Sequence, residues 1–128
     1  MLSIGSLVIC LKALKRMTNT KTNYLAMWDM YGLECLFNVT EWHKKKTWAV
    51  LKDEPIDNGP SIHMMMLRAR MNSQRCYEIY SFVAEEGVTE ESIRKTFEES
   101  PQGLVEFIRK NGEKIYSDRI ETKKQVIT

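Results

Sequence analysis

Slid along itself by 49 positions, the chain lays WDMYGLECLFNVTEWHKKKTW (residues 28–48) without a gap over YEIYSFVAEEGVTEESIRKTF (residues 77–97). Identities fall at Tyr31/Tyr80, Val39/Val88, Thr40/Thr89, Glu41/Glu90, Lys46/Lys95 and Thr47/Thr96. Like replaces like at Trp28/Tyr77, Asp29/Glu78, Met30/Ile79, Leu33/Phe82, Lys45/Arg94 and Trp48/Phe97. A self-match at fixed spacing constrains a fold more than a single motif does, because both copies must adopt the same run of elements. An internal βαβ duplication is the reading that follows.

Each copy reads as a strand followed by a helix. In the second, Cys76, Tyr77, Glu78, Ile79, Tyr80, Ser81 and Phe82 alternate and are rich in aromatic residues, which marks a strand. Thr89 then stands as an N-cap, with Glu90 and Glu91 in the first turn and Val88 and Ile93 placed as a hydrophobic staple. In the first copy the strand takes in Trp28 through Phe37. Thr40 is its cap, and the helix is expected to run to about Asp53, before Pro55, Gly59 and Pro60 break it. The run His43, Lys44, Lys45, Lys46 falls in that helix as one solvated turn of like charge.

A further extended segment follows each helix. IHMMMLRARM (residues 62–71) comes after the first. The second restarts at Ser100 and Pro101, stops at Asn111 and Gly112, and leads into EKIY (residues 113–116). The expected order is βαββαβ, with a tight Asn72–Ser73 hairpin joining the halves. That is the ferredoxin-like α+β arrangement: a four-stranded antiparallel sheet with two helices on one face, spanning residues 23–119.

Residues 1–22 read as an N-terminal appendage and residues 120–128 as a polar tail. The apolar start MLSIGSLVICLKALKR is shorter than the roughly 20 residues a transmembrane helix needs. Its Lys12, Lys15 and Arg16 follow the apolar run, where a secretory signal carries them before it. Two readings stand: an amphipathic segment that docks on a partner or membrane surface, or an extension upstream of Met17. No transmembrane segment is expected.

Three cysteines (Cys10, Cys35, Cys76) without a CxxC pair, beside two histidines, encode neither a disulfide framework nor a zinc site, so a reducing, cytoplasmic setting is expected. A net charge of +2 gives only weak general attraction for polyanions. Without a phosphate-cradling glycine loop, no cofactor is expected.

With Asn72 and Ser73 at the hairpin tip, Arg70 faces Arg75, Arg68 faces Tyr77, Met66 faces Ile79 and Met64 faces Ser81. The helix-covered side of the sheet takes Tyr31, Leu33, Cys35, Phe37, Glu78, Tyr80 and Phe82, against a stripe of Trp48, Phe97, Leu104, Phe107 and Ile108. The open side takes Trp28, Met30, Ile62, Met64, Met66, Tyr77, Ile79 and Val83, with Arg68, Arg70 and Arg75 at one end. Such a contiguous apolar patch marks an interface or a ligand groove.

Three functions suit that surface. The first is self-association as a homodimer, or capture of a protein partner, as in the dimeric α+β barrel proteins that this architecture resembles. The second is single-stranded RNA or DNA binding: RCYEIYSF (residues 75–82) resembles the third-strand signature of the RNA-recognition motif at Arg75, Tyr77 and Phe82. Cys76 and Glu78 replace its glycines, and Ile79 its second aromatic. The resemblance implies that Trp28 and Tyr77 stack bases while Arg68, Arg70 and Arg75 meet phosphates. The third is catalysis by a small barrel enzyme using Asp29, Glu78 and His63. The leading expectation is a non-catalytic binding module, with no catalytic or metal-ligating residue assigned. Trp28, Met30, Met64, Met66, Tyr77, Ile79, Arg68, Arg70 and Arg75 form its binding face.

Overall fold

The computed structural model describes residues 21–119; the expectations for the N-terminal appendage and the polar tail lie outside these residues. The chain is α+β. Strands β1 (Thr22–Asp29), β2 (Gly32–Asn38), β3 (Glu78–Ala84) and β4 (Glu113–Ser117) form one antiparallel sheet in the order β2-β1-β3-β4. Five helices accompany them among the described residues: α1 (Thr40–His43), α2 (Trp48–Leu51), α3 (Ile62–Met71), α4 (Glu90–Glu99) and α5 (Pro101–Asn111).

This is not the expected ferredoxin-like order. The predicted first strand is a hairpin, β1 and β2, and the chain turns at Met30 and Tyr31. Residues 24–28, YLAMW, supply the centre of β1. They lie between β2 and β3 and are buried without the alternation of a half-exposed strand, as expected for a strand covered on both faces.

The predicted strand Ile62–Met71 is also corrected: it is α3. Ser61 caps it, its hydroxyl accepting the Met64 amide at 3.1 Å. Ile62, Met65 and Ala69 recur at helical spacing and are the residues it buries. The Asn72–Ser73 hairpin is replaced by a 3-10 turn, Ser73–Arg75, closed by Cys76 at φ 57°.

The predicted helix from Thr40 to Asp53 is two short helices, and Lys44, Lys45 and Lys46 lie exposed in the break between them. Thr40 does not cap its helix; its hydroxyl accepts the Asn23 amide at 2.8 Å and ties α1 to β1. The two members of the 21-residue self-match thus occupy different elements over much of their length. Tyr31 is in a turn where Tyr80 is in mid-strand, while Val-Thr-Glu opens a helix in both.

The second half follows the sequence reading closely. Thr89 and Ser92 form a reciprocal capping box, Pro101 opens α5, and Val88 and Ile93 share one apolar cluster. Gly112 ends α5 where a Cβ would lie 2.6 Å from the Ser81 carbonyl oxygen and 2.8 Å from that of Ile108, so only glycine fits without displacing backbone.

Each face of the sheet carries its own core. Tyr24, Ala26, Trp28, Tyr80 and Phe82 pack with Ile93 and Phe97 of α4 and with Leu104 and Ile108 of α5. On the opposite face Leu25, Met27 and Ile79 pack with Trp42, Trp48, Leu51, Ile62 and Met65, from α1 to α3. The result is three layers, helix, sheet and helix, with neither face of the sheet left bare.

Candidate functional site

The covered faces direct attention to the end of the sheet where β1 turns into β2. Asp29 sits at i and Gly32 at i+3 of that turn. The Asp29 carboxylate accepts the Tyr31 amide at 2.8 Å and the Gly32 amide at 3.0 Å through Oδ1. Its Oδ2 lies 2.8 Å from Arg75 Nε. The Arg75 guanidinium stands 5.1 Å from the centre of the Tyr31 ring, and the Arg75 carbonyl accepts the Met30 amide at 3.3 Å. These contacts fix a turn whose own side chains point outward: Met30 is 62% and Tyr31 76% exposed.

Behind the turn lies a buried polar cluster centred on Glu78, which is only 2% exposed. Its Oε1 accepts from Trp28 Nε1 at 2.9 Å and from Arg109 Nη2 at 2.6 Å and Nε at 3.0 Å, and its Oε2 accepts from Ser117 Oγ at 3.0 Å. Arg109 also pairs with Glu106. A carboxylate this deep is tolerable only when paired and hydrogen-bonded, and Glu78 is both. Partial burial pulls the Arg109 guanidinium down, but its bonds to Glu78, then the charges of Glu78 and Glu106, hold it above its ordinary value. The Trp28 ring is clamped from the side, stacked on Tyr80 at 5.4 Å and tilted against Phe97 at 5.7 Å.

Between the turn and the junction of α4 with α5 runs an open groove of about 590 Å³. Trp28, Leu33, Phe97 and Val105 give it an apolar lining, and Met30 and Tyr31 stand at the turn end. Arg94, Glu98, Gln102 and Arg109 supply its polar part. The arrangement can hold an apolar side chain beside hydrogen-bonding groups. It offers no free carboxylate pair for acid–base work, since Asp29 and Glu78 are each held by an arginine.

The expected binding face is not assembled. Trp28 and Tyr77 are both buried, in different clusters on opposite faces of the sheet, so they form no stacking pair. Ile79 is buried in the core shared with α3, the helix that carries Met64, exposed, and Met66, half-buried. Arg68 pairs with Glu34 at 2.8 Å, Arg70 stands 5.9 Å from the centre of the Tyr116 ring, and Arg75 belongs to the turn. Of the predicted face, Trp28 and Met30 line the groove and Arg75 braces it. His63 is exposed on α3, and no bond joins it to Asp29 or Glu78.

Arg94, Glu98, Gln102, Val105 and Arg109 were not singled out from sequence. The one sequence signal for this site is the Asp29-x-x-Gly32 turn, which places Met30 and Tyr31 at a tip instead of in a strand. Among the described residues no three His, Cys, Asp or Glu side chains converge as a metal site, and no helix is long and apolar enough to cross a membrane. No protein-family model, curated protein or solved structure matches the chain.

Proposed function

We propose that this chain is a small non-catalytic binding module that holds a segment of a protein partner in the groove between the β1–β2 turn and the α4–α5 junction. One observation carries the reading: Met30 and Tyr31, large and exposed, stand on a hydrogen-bonded turn beside a groove whose walls are fixed by two buried carboxylates, each paired with an arginine. Rigid walls lower the ordering cost of association, and exposed Tyr and Met are common at interface centres. Cys35 and Cys76 carry free thiols, which suits a cytoplasmic setting. A second copy of the chain is one partner the groove could receive, so self-association remains part of the reading. Base stacking by Trp28 and Tyr77 as a pair has no support, because the rings are 3% and 0% exposed and belong to cores on opposite faces of the sheet.

The test is site-dependent photocrosslinking in cells with p-benzoylphenylalanine replacing Tyr31, at the groove, or Val50, which is 59% exposed on α2 across the sheet. Adducts from position 31 that are absent from position 50, and lost when Val105→Arg fills the groove, are expected. Equal labelling from both positions, or labelling indifferent to Val105→Arg, would overturn the reading.

A further inference from the structure

The groove's charges can be counted one by one. Arg109 is paired with two carboxylates, those of Glu78 and Glu106. Arg94 is held by Glu90 at 3.1 Å and also reaches the Leu36 carbonyl at 3.5 Å. Asp29 is matched by Arg75 and two turn amides. One charged lining residue is left over: Glu98, near the end of α4, is exposed, and its side chain has no hydrogen bond or ion pair among the described residues.

The groove is therefore a trough of mixed apolar and polar lining in which the one charged lining side chain without a partner is an acid. We infer that its occupant is a peptide segment carrying a lysine or arginine next to an aliphatic side chain, the cation seated on Glu98 and the aliphatic group against Leu33, Phe97 and Val105. This rests on the binding reading above and specifies its partner. Like-charge juxtaposition disfavours an acidic segment at the same place, so Glu98 sets specificity more than strength. An exposed pair of this kind is worth up to about a fivefold preference.

A random dodecapeptide phage library selected on the full-length protein tests this without presupposing a sequence. The expected result is enrichment of Lys or Arg within three positions of Ile, Leu or Val. Synthetic versions of the winning peptides should bind about two- to fivefold more weakly to Glu98→Gln. Selection on Glu98→Lys should enrich Asp or Glu in place of the cation. Enriched peptides without a basic residue, or the same preference from Glu98→Lys, would overturn the inference while leaving a peptide-binding groove. Failure to enrich any peptide, or enrichment that survives Val105→Arg, would remove the groove reading and this inference with it.

Discussion

Trp28 and Glu78 are partners twice over: they face each other in the β1–β3 register, and the Trp28 indole donates to the Glu78 carboxylate at 2.9 Å. The same carboxylate receives Arg109 from α5 and Ser117 from β4. One buried side chain thus joins two central strands, an edge strand and a helix at the base of the groove.

Removing that carboxylate leaves a mostly buried guanidinium without its main partner. Glu78→Ala is expected to destabilise the protein by about 3 kcal/mol in urea unfolding, with Glu78→Gln costing less because it keeps acceptor capacity. Adding Arg109→Met to Glu78→Ala should recover part of the loss, since the orphaned charge goes with it. A Glu78→Ala variant as stable as the parent would show that the cluster is not formed in solution.

Trp28→Ala and Tyr77→Ala are each expected to cost about 3–5 kcal/mol, the range for truncating a large buried aromatic. The two side chains are 3% and 0% exposed. Tyr31→Ala, at the exposed tip, should cost under about 1 kcal/mol, chiefly the cation–π contact with Arg75. Thermal or urea unfolding of the three variants would show it, and equal losses would contradict the burial of Trp28 and Tyr77.

Gly112→Ala should destabilise by about 1–3 kcal/mol, because the added methyl meets two backbone carbonyls that cannot rotate away. Gly103→Ala is the control: it lies exposed within α5, where alanine is favoured by about 1 kcal/mol. Opposite signs for the two substitutions in one denaturation series are the expected outcome.

Burial, and then the charge of Glu34, push the Cys35 thiol up to about 11, against the opposing pulls of Arg68 and Arg94. A raised acid holds its proton longer folded than unfolded. Its stabilising contribution is therefore intact below the unfolded value of about 8.5 and is lost as pH climbs toward 11, by about 3 kcal/mol. Urea midpoints at pH 7, 9 and 10.5 should fall for the parent and fall less steeply for Cys35→Ala. Parallel slopes would remove the assignment. Tyr24, raised by burial and then by Glu90, acts in the same direction at higher pH.

What the sequence revealed and what it hid follow from the range of the interactions involved. Thr89, Pro101 and Gly112 act through backbone chemistry within a few residues, so α4, α5 and the strands around them could be read directly. The first half went astray where the self-match was trusted over local signals. Ser61 before IHMMMLRARM is a helix cap, and Met, Leu, Arg and Ala are strong helix formers. YLAMW is the continuous apolar run of a doubly covered strand. The groove was hidden for a different reason: Arg109 meets Glu78 across 31 positions and Trp28 meets Glu78 across 50, and no local pattern encodes such pairings.

The strand order also carries a consequence for assembly. β1 first finds β2 through a two-residue turn, but its other neighbour, β3, lies about fifty positions on, and all of α1 to α3 intervenes. During synthesis the β1–β2 hairpin leaves the ribosome with Tyr24, Ala26 and Trp28 unshielded until β3, α4 and α5 have followed. Folding is then timed by the late half of the chain, and sequence changes that slow the docking of α4 and α5 would prolong the interval in which an apolar strand edge is open to aggregation.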